Sequence, residues 1–187
     1  MMTSTPSSLK FTYEDYLCFP DDGKRHELID GEHYVTPAPV TKHQRILANL
    51  HRLIGTFVHE EDLGVVFFAP TDVVLSELDV VQPDFLFISS SRLDIVTEAN
   101  IQGVPDLMVE ILSEGNRKTD EVIKRKLYER HQVKEYWLID PVLETVKRFK
   151  LQKNTFTTPD LLSLEANNTL TSELIPDFPL RLSDLFE

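Results

Sequence analysis

Apolar positions along the chain change period several times, and each change marks an element. From Thr41 to Asp62, "TKHQRILANLHRLIGTFVHEED" repeats Ile46, Leu50, Leu53 and Phe57 at helical spacing, with Leu47, Ile54 and Val58 beside them. That pattern predicts an amphipathic helix, and Gly64 closes the connection after it. The runs "VVFFA" (65–69), "TDVVL" (71–75) and "VVQPDFLFIS" (80–89) are rich in β-branched and aromatic residues and predict strands. "GVPDLMVEILSEG" predicts another strand over 106–112, with Leu107, Val109 and Ile111 on one face and Met108, Glu110 and Leu112 on the other. "RKTDEVIKRKLYERHQ" reads as a helix whose inner face is Val122, Ile123 and Leu127. "KEYWLID" and "LETVKRFKL" read as strands around a turn at Asp140-Pro141.

Weaker signals complete the outline. "FTYEDYLCFP" predicts a short helix capped by Thr12, with Tyr13, Tyr16 and Leu17 on one face and Pro20 beyond its end. "RHELIDGEHYV" predicts a hairpin turning at Asp30-Gly31. Residues 90–103 form a polar, partly helical link, and the proline-punctuated "LIPDFPLRLSDLFE" reads as an extended arm. Helices and at least five strands are mixed, so the class is α/β or α+β. The expectation is a single domain over 1–187, with 160–187 as a C-terminal arm packed on it.

Composition narrows the function. The chain has 187 residues, 41% of them hydrophobic, enough for one real core. Its one cysteine, Cys18, excludes an intrachain disulfide and a cysteine-built metal site. "MMTSTPSSLK" lacks the apolar core of a secretory signal, and no apolar run approaches the roughly 20 residues of a membrane helix. A cytoplasmic protein with no membrane partner is expected. The net charge of −12 argues against coating nucleic acid by bulk attraction. The charge is uneven: Arg117 to Lys153 carries eleven Lys or Arg against six Asp or Glu, +5 locally, leaving −17 for the remainder. A basic segment on an acidic body can face a polyanion, or be a solvated helix and an exposed hairpin.

Candidate chemistry centres on two carboxylates inside apolar runs: Asp84 in "VQPDFLFI" and Glu110 in "LMVEIL". An ionised carboxylate among apolar side chains costs several kcal/mol, roughly, unless a cation or donor stands beside it. Side by side the two acids repel, and a divalent ion removes that cost; oxygen ligands suit Mg²⁺ or Mn²⁺. The Ile111 carbonyl could be a third ligand. A cation near the metal is still needed, and the next helix offers Lys124 and Lys126. Lys124 shares a stripe with Asp120 and Tyr128, whereas Lys126 points about 200° away on an ideal helix. Plainer readings stand beside each: Pro83-Asp84 can open a strand, as Pro105-Asp106 does; Glu110 can lie on a solvated edge; Lys124 can be a solvated helix lysine. Glu27 can be a further acid or a hairpin residue, and His43 a phosphate contact or a helix-start residue. Tyr136 and Trp137 read as core. The sequence contains no phosphate loop and no serine nucleophile motif.

Taken together, "RHELIDGE", "PAPVTKHQRILANL", "VVQPDFLFI", "VPDLMVEILS" and "TDEVIKRKLYERHQVKEYWLID" resemble, in order and spacing, the Uma-two family. This is a large bacterial family of endonuclease-like proteins with the restriction-endonuclease-like, PD-(D/E)xK fold. The likeness spans nearly the whole chain, including "LRLSDLF". It implies a mixed sheet flanked by helices and a Mg²⁺- or Mn²⁺-dependent endonuclease acting on DNA, with Asp84, Glu110 and the Ile111 carbonyl as ligands. Leu112 stands where the motif's lysine would fall, and the match moves that role to Lys124, on a stem long enough to reach. Glu27 and His43 would support the site. Cutting both strands of a duplex would imply a homodimer. The alternative is a catalytically silent nucleic-acid- or protein-binding module on the same fold, which the net charge favours.

Overall fold

The structure, a computed structural model, describes residues 9–36 and 38–187. Residues 1–8, most of the "MMTSTPSSLK" start, and Pro37 lie outside the described residues. Thr12 caps helix α1 (Tyr13–Tyr16) through a capping box: its hydroxyl accepts from the Asp15 N–H, and the Asp15 carboxylate accepts from the Thr12 N–H at 2.8 Å. Strands β1 (Arg25–Ile29) and β2 (Glu32–Thr36) form the hairpin predicted from Asp30-Gly31. Both turn residues have positive φ, +54° and +74°, which is what a two-residue turn of this hand requires.

Thr41 to Glu60 is one helical run, but not a uniform one. Helix α2 (Thr41–Leu50) passes through a π-turn (His51–Gly55) into α3 (Thr56–Glu60). Strands β3 (Gly64–Phe68) and β4 (Val73–Ser76) follow. The run 80–89 departs from the single predicted strand. It divides into β5 (Asp79–Val81) and β6 (Phe85–Ser89), which belong to different sheets. Pro83 lies in the break; it has no N–H to continue a ladder. Asp84 therefore stands in the bend ahead of β6, not within a strand.

After a 3₁₀ turn (Ser90–Ile95) and β7 (Ile101–Gln102) comes β8 (Leu107–Ile111). A second π-turn (Thr119–Lys124) leads into α4 (Arg125–Arg130). Its wider winding alters part of the predicted inner face: Leu127 is buried and Ile123 packs beside it as expected, but Val122 is 41% exposed, and Asp120, Lys124 and Tyr128 are buried. Strands β9 (Glu135–Asp140), β10 (Thr145–Gln152), β11 (Thr155–Phe156) and β12 (Asp160–Ser163) follow. The tail is more regular than an extended arm: β13 (Thr169–Ser172) and β14 (Ile175–Arg181) form a hairpin, and α5 (Leu182–Phe186) ends the chain.

Among the described residues, the main sheet runs β11-β10-β9-β8-β6-β3, with β12 also on β10, and is antiparallel except for β8–β9. A second sheet, β2-β1-β5-β4-β7, carries the N-terminal hairpin. The class is α+β, a mixed sheet flanked by helices. The period-2 pattern of β8 sorts as predicted. Leu107, Val109 and Ile111 join Ile46, Leu50, Ile54, Trp137 and the C-terminal Leu182 and Leu185 in one core. Met108 and Leu112 join Leu127, Tyr128 and Tyr136 in the other. Each fully buried Leu or Ile contributes about 1.5–3 kcal/mol, so two filled faces pin β8 and fix the direction in which Glu110 points.

Gly64 sets the start of β3. Its φ is +152°, and a Cβ there would lie 2.0 Å from the Ile88 carbonyl oxygen. We expect Gly64→Ala to destabilise the protein by at least about 2 kcal/mol in chemical denaturation, since it adds backbone strain to a steric clash. Unchanged stability would show that β3 and β6 are not held this closely.

Candidate functional site

Strand pairing brings the two apolar-run carboxylates together. In the β6–β8 register Phe85 is opposite Val109. One step further, Asp84 stands opposite Glu110. The Asp84 Oδ2 accepts from the Ile111 N–H at 2.8 Å. Its Oδ1 accepts from the Arg25 guanidinium at 2.6 Å and from His43 Nε2 at 3.1 Å, which requires the His43 proton on Nε2. Burial alone would raise the Asp84 pKa, but His43 and Arg25 outweigh it and hold this carboxyl below the usual range.

Glu110 has the opposite balance. It points from β8 toward the second helix, where its Oε1 accepts from the Tyr128 hydroxyl at 2.6 Å and from Lys124 Nζ at 3.0 Å. Burial raises its pKa well above the ordinary glutamate value. Lys124 opposes that rise, and the negative charges of Asp120, Asp84 and Glu27 add to it.

Lys124 is the hub. Its ammonium lies 2.8 Å from Glu27 Oε1, 3.0 Å from Glu110 Oε1 and 3.8 Å from Asp120 Oδ1, with 5% of its side chain exposed. Burial disfavours the charged amine, but Glu110, Glu27 and Asp120 more than offset it and push its pKa well up. Asp120 is itself raised to about 7 by burial, against Lys124 and with help from Glu27 and Asp84. Glu27 reaches the cluster from β1 and also accepts the Gln82 N–H at 2.8 Å.

The sequence-derived candidates thus fall as follows. Asp84, Glu110, Ile111, Lys124, Glu27 and His43 all line one cavity of about 490 Å³. Lys126 is exposed and takes no part. Asp106 is bound to the Ser89 N–H, Arg92 and Lys134, holding the entrance of β8. Tyr136 and Trp137 are core. Sequence reasoning missed Arg25, although a signal was present: Arg25, Glu27 and Ile29 alternate on one face of β1, so flagging Glu27 implies Arg25.

Could this site accept a divalent ion? Among the described residues, no three His, Cys, Asp or Glu side chains are arranged as a ready metal site. The acids are closed onto the chain's own cations. The charge balance nevertheless fits one. Glu27, Asp84, Glu110 and Asp120 face the permanent cations Arg25 and Lys124, so negative charge is in surplus. Burial first, and then the neighbouring acids, raise the pKa values of Glu110 and Asp120. The Ile111 N–H faces Asp84, and in an extended strand the carbonyl of the same residue leaves on the same edge.

Comparison with known proteins places this geometry. The family model Uma2, described as "Putative restriction endonuclease", matches residues 13–183. A solved structure of "a putative nuclease belonging to DUF820" from Anabaena variabilis superposes with a TM-score of 0.80 at 22% identity. That match covers 94% of this chain and 97% of the other. Among curated proteins there is no match.

The Asp120 shift has a pH signature. Its folded pKa of about 7 lies above the ordinary carboxylate value, so the native state holds a proton that the unfolded chain has released. The stabilisation is complete below about pH 4 and is lost as pH rises toward 7. Asp120→Asn should therefore be more stable than the wild type at pH 8, by about 1–3 kcal/mol, with the gain shrinking toward pH 4. Denaturant melts across pH 4–8 read this directly; a gain constant with pH would contradict it.

Proposed function

Since the chain belongs to the Uma2 family of restriction-endonuclease-like proteins, we propose that it is a nuclease hydrolysing phosphodiester bonds in DNA, with Mg²⁺ or Mn²⁺ as cofactor. One observation carries this reading. Asp84, in the bend ahead of β6, and Glu110, on the adjoining β8, line one cavity, and the Lys124 ammonium stands 3.0 Å from Glu110 inside it.

Asp84, Glu110 and the Ile111 carbonyl would hold the ion. Bound there, a divalent ion supplies Lewis acidity toward a phosphate oxygen and lowers the pKa of a coordinated water. The chain's own side chains do the rest. Lys124, beside Glu110 in the cavity, would position the attacking water and stabilise negative charge developing on the phosphate. Arg25, which lines the same cavity, would bind a non-bridging phosphate oxygen. The Tyr128 hydroxyl and the Ile111 N–H keep the two acids oriented, as second partners of ligating carboxylates do. Glu27 and Asp120 keep Lys124 in reach, and His43 fixes the second side of Asp84. In this proposal all 187 residues act as one unit: the segment 160–187 packs on α2 and contributes nothing to the cavity lining.

The test is a cleavage assay on DNA oligonucleotides. Cleavage should require Mg²⁺ or Mn²⁺ and stop in EDTA. Asp84→Asn, Glu110→Gln and Lys124→Met should each slow it about 100-fold or more, while circular dichroism reports the fold of each variant. Cleavage that persists in EDTA, or in folded Glu110→Gln, would remove the metal mechanism.

A further inference from the structure

We infer that the strand this site accepts is an unpaired one: a single-stranded segment or a frayed end of DNA, not the interior of a duplex. The inference rests on the nuclease reading above and narrows its substrate. It comes from where the positive charge lies and how deep the acids are.

The acids that line the cavity are almost closed to solvent. Glu27, Asp84 and Glu110 are each 3% exposed. A phosphate must enter the cavity to meet acids this buried, and on a paired helix it brings the second strand to the mouth with it. An unpaired strand has no second strand to exclude and can bend inward.

The cations sort the same way. Those inside, Arg25 and Lys124, face an excess of acid that a metal ion would relieve. Those at the mouth are already neutralised. Lys42 is 3.0 Å from Glu144, and Arg117 is 2.8 Å from Asp140. Duplex binding draws its affinity from several phosphate contacts made at once over an exposed basic surface. Here the two cations at the mouth are each paired with an acid, on a body of net charge −12. A grip on one or two phosphates, from inside, remains.

The mouth also offers what an unpaired base wants. Val40 and Val142, from opposite lips, are 69% and 75% exposed beside the cavity they line. The Lys42–Glu144 pair joins the same two lips. Apolar surface at the entrance suits the faces of unstacked bases and has nothing to offer a ridge of phosphates. One site per chain suffices for an unpaired strand, so the two-fold pairing required by duplex cleavage is not needed here.

The experiment presents one labelled sequence in three forms, with Mn²⁺: single strand, blunt duplex, and duplex with an unpaired flap. Single strand and flap should be cut at least about tenfold faster than the duplex, with flap cuts confined to the unpaired part, and Val40→Asp/Val142→Asp should raise KM for the single strand without a matching loss of kcat. Cleavage of the blunt duplex interior as fast as the single strand would overturn this inference and leave the nuclease reading intact. Failure to cut any of the three would overturn both.

Discussion

Everything in this protein's candidate site depends on a buried ammonium. Lys124 replaces its hydration with three carboxylates from three separate elements: Glu110 of β8, Glu27 of β1 and Asp120 of its own helix. Removing either sign alone from such a site leaves an uncompensated buried charge, at a cost of roughly 3–5 kcal/mol. The cluster therefore ties the small sheet, the main sheet and the helical segment 119–130 to one point. It does so without full neutrality. Four acids surround two permanent cations, and burial turns the remainder into raised carboxyl pKa values on Glu110 and Asp120. The same imbalance that strains the resting site is what a divalent ion would relieve.

This gives the arrangement a logic that a purely structural salt bridge lacks. A charge cluster selected only for stability would be balanced, or replaced by apolar side chains of similar volume at little cost. Here the acids are held by partners that also make sense as machinery: an arginine on Asp84 and a lysine on Glu110, both lining the cavity, with a fully buried tyrosine hydroxyl on Glu110 behind them. Perturbed carboxylates that converge in a cleft, each with a named partner, are what an active site requires.

Much of this was legible in the sequence, and the exceptions have physical causes. Glu110 stood out because a strand's alternation left a charge on a buried face, and both faces of β8 are in fact filled. Lys124 was legible because Asp120, Lys124 and Tyr128 recur four residues apart, though the π-turn there put that stripe, rather than Val122, against the sheet. A π-turn leaves no mark in apolar periodicity read at 3.6 residues, so this exposure could not be foreseen. The division of 80–89 was half legible: Pro83 announced a break, but which sheet each half would join depends on pairing with residues far off in sequence. Arg25 was hidden by its neighbours. "DDGKRHELID" reads as a polar hairpin, and only the face it shares with Glu27 gives it away. The Lys42–Glu144 contact across the cavity mouth spans 102 residues and has no local trace.

The account stands or falls on whether one divalent ion joins Asp84 and Glu110. The most direct measurement is the anomalous difference map of a crystal soaked in Mn²⁺. A single peak within ligand distance of both carboxylates, with the Lys124 amine moved off Glu110, is what the charge balance predicts. A map with no peak there, and Lys124 still seated between Glu27 and Glu110, would show that the cluster is only a strut.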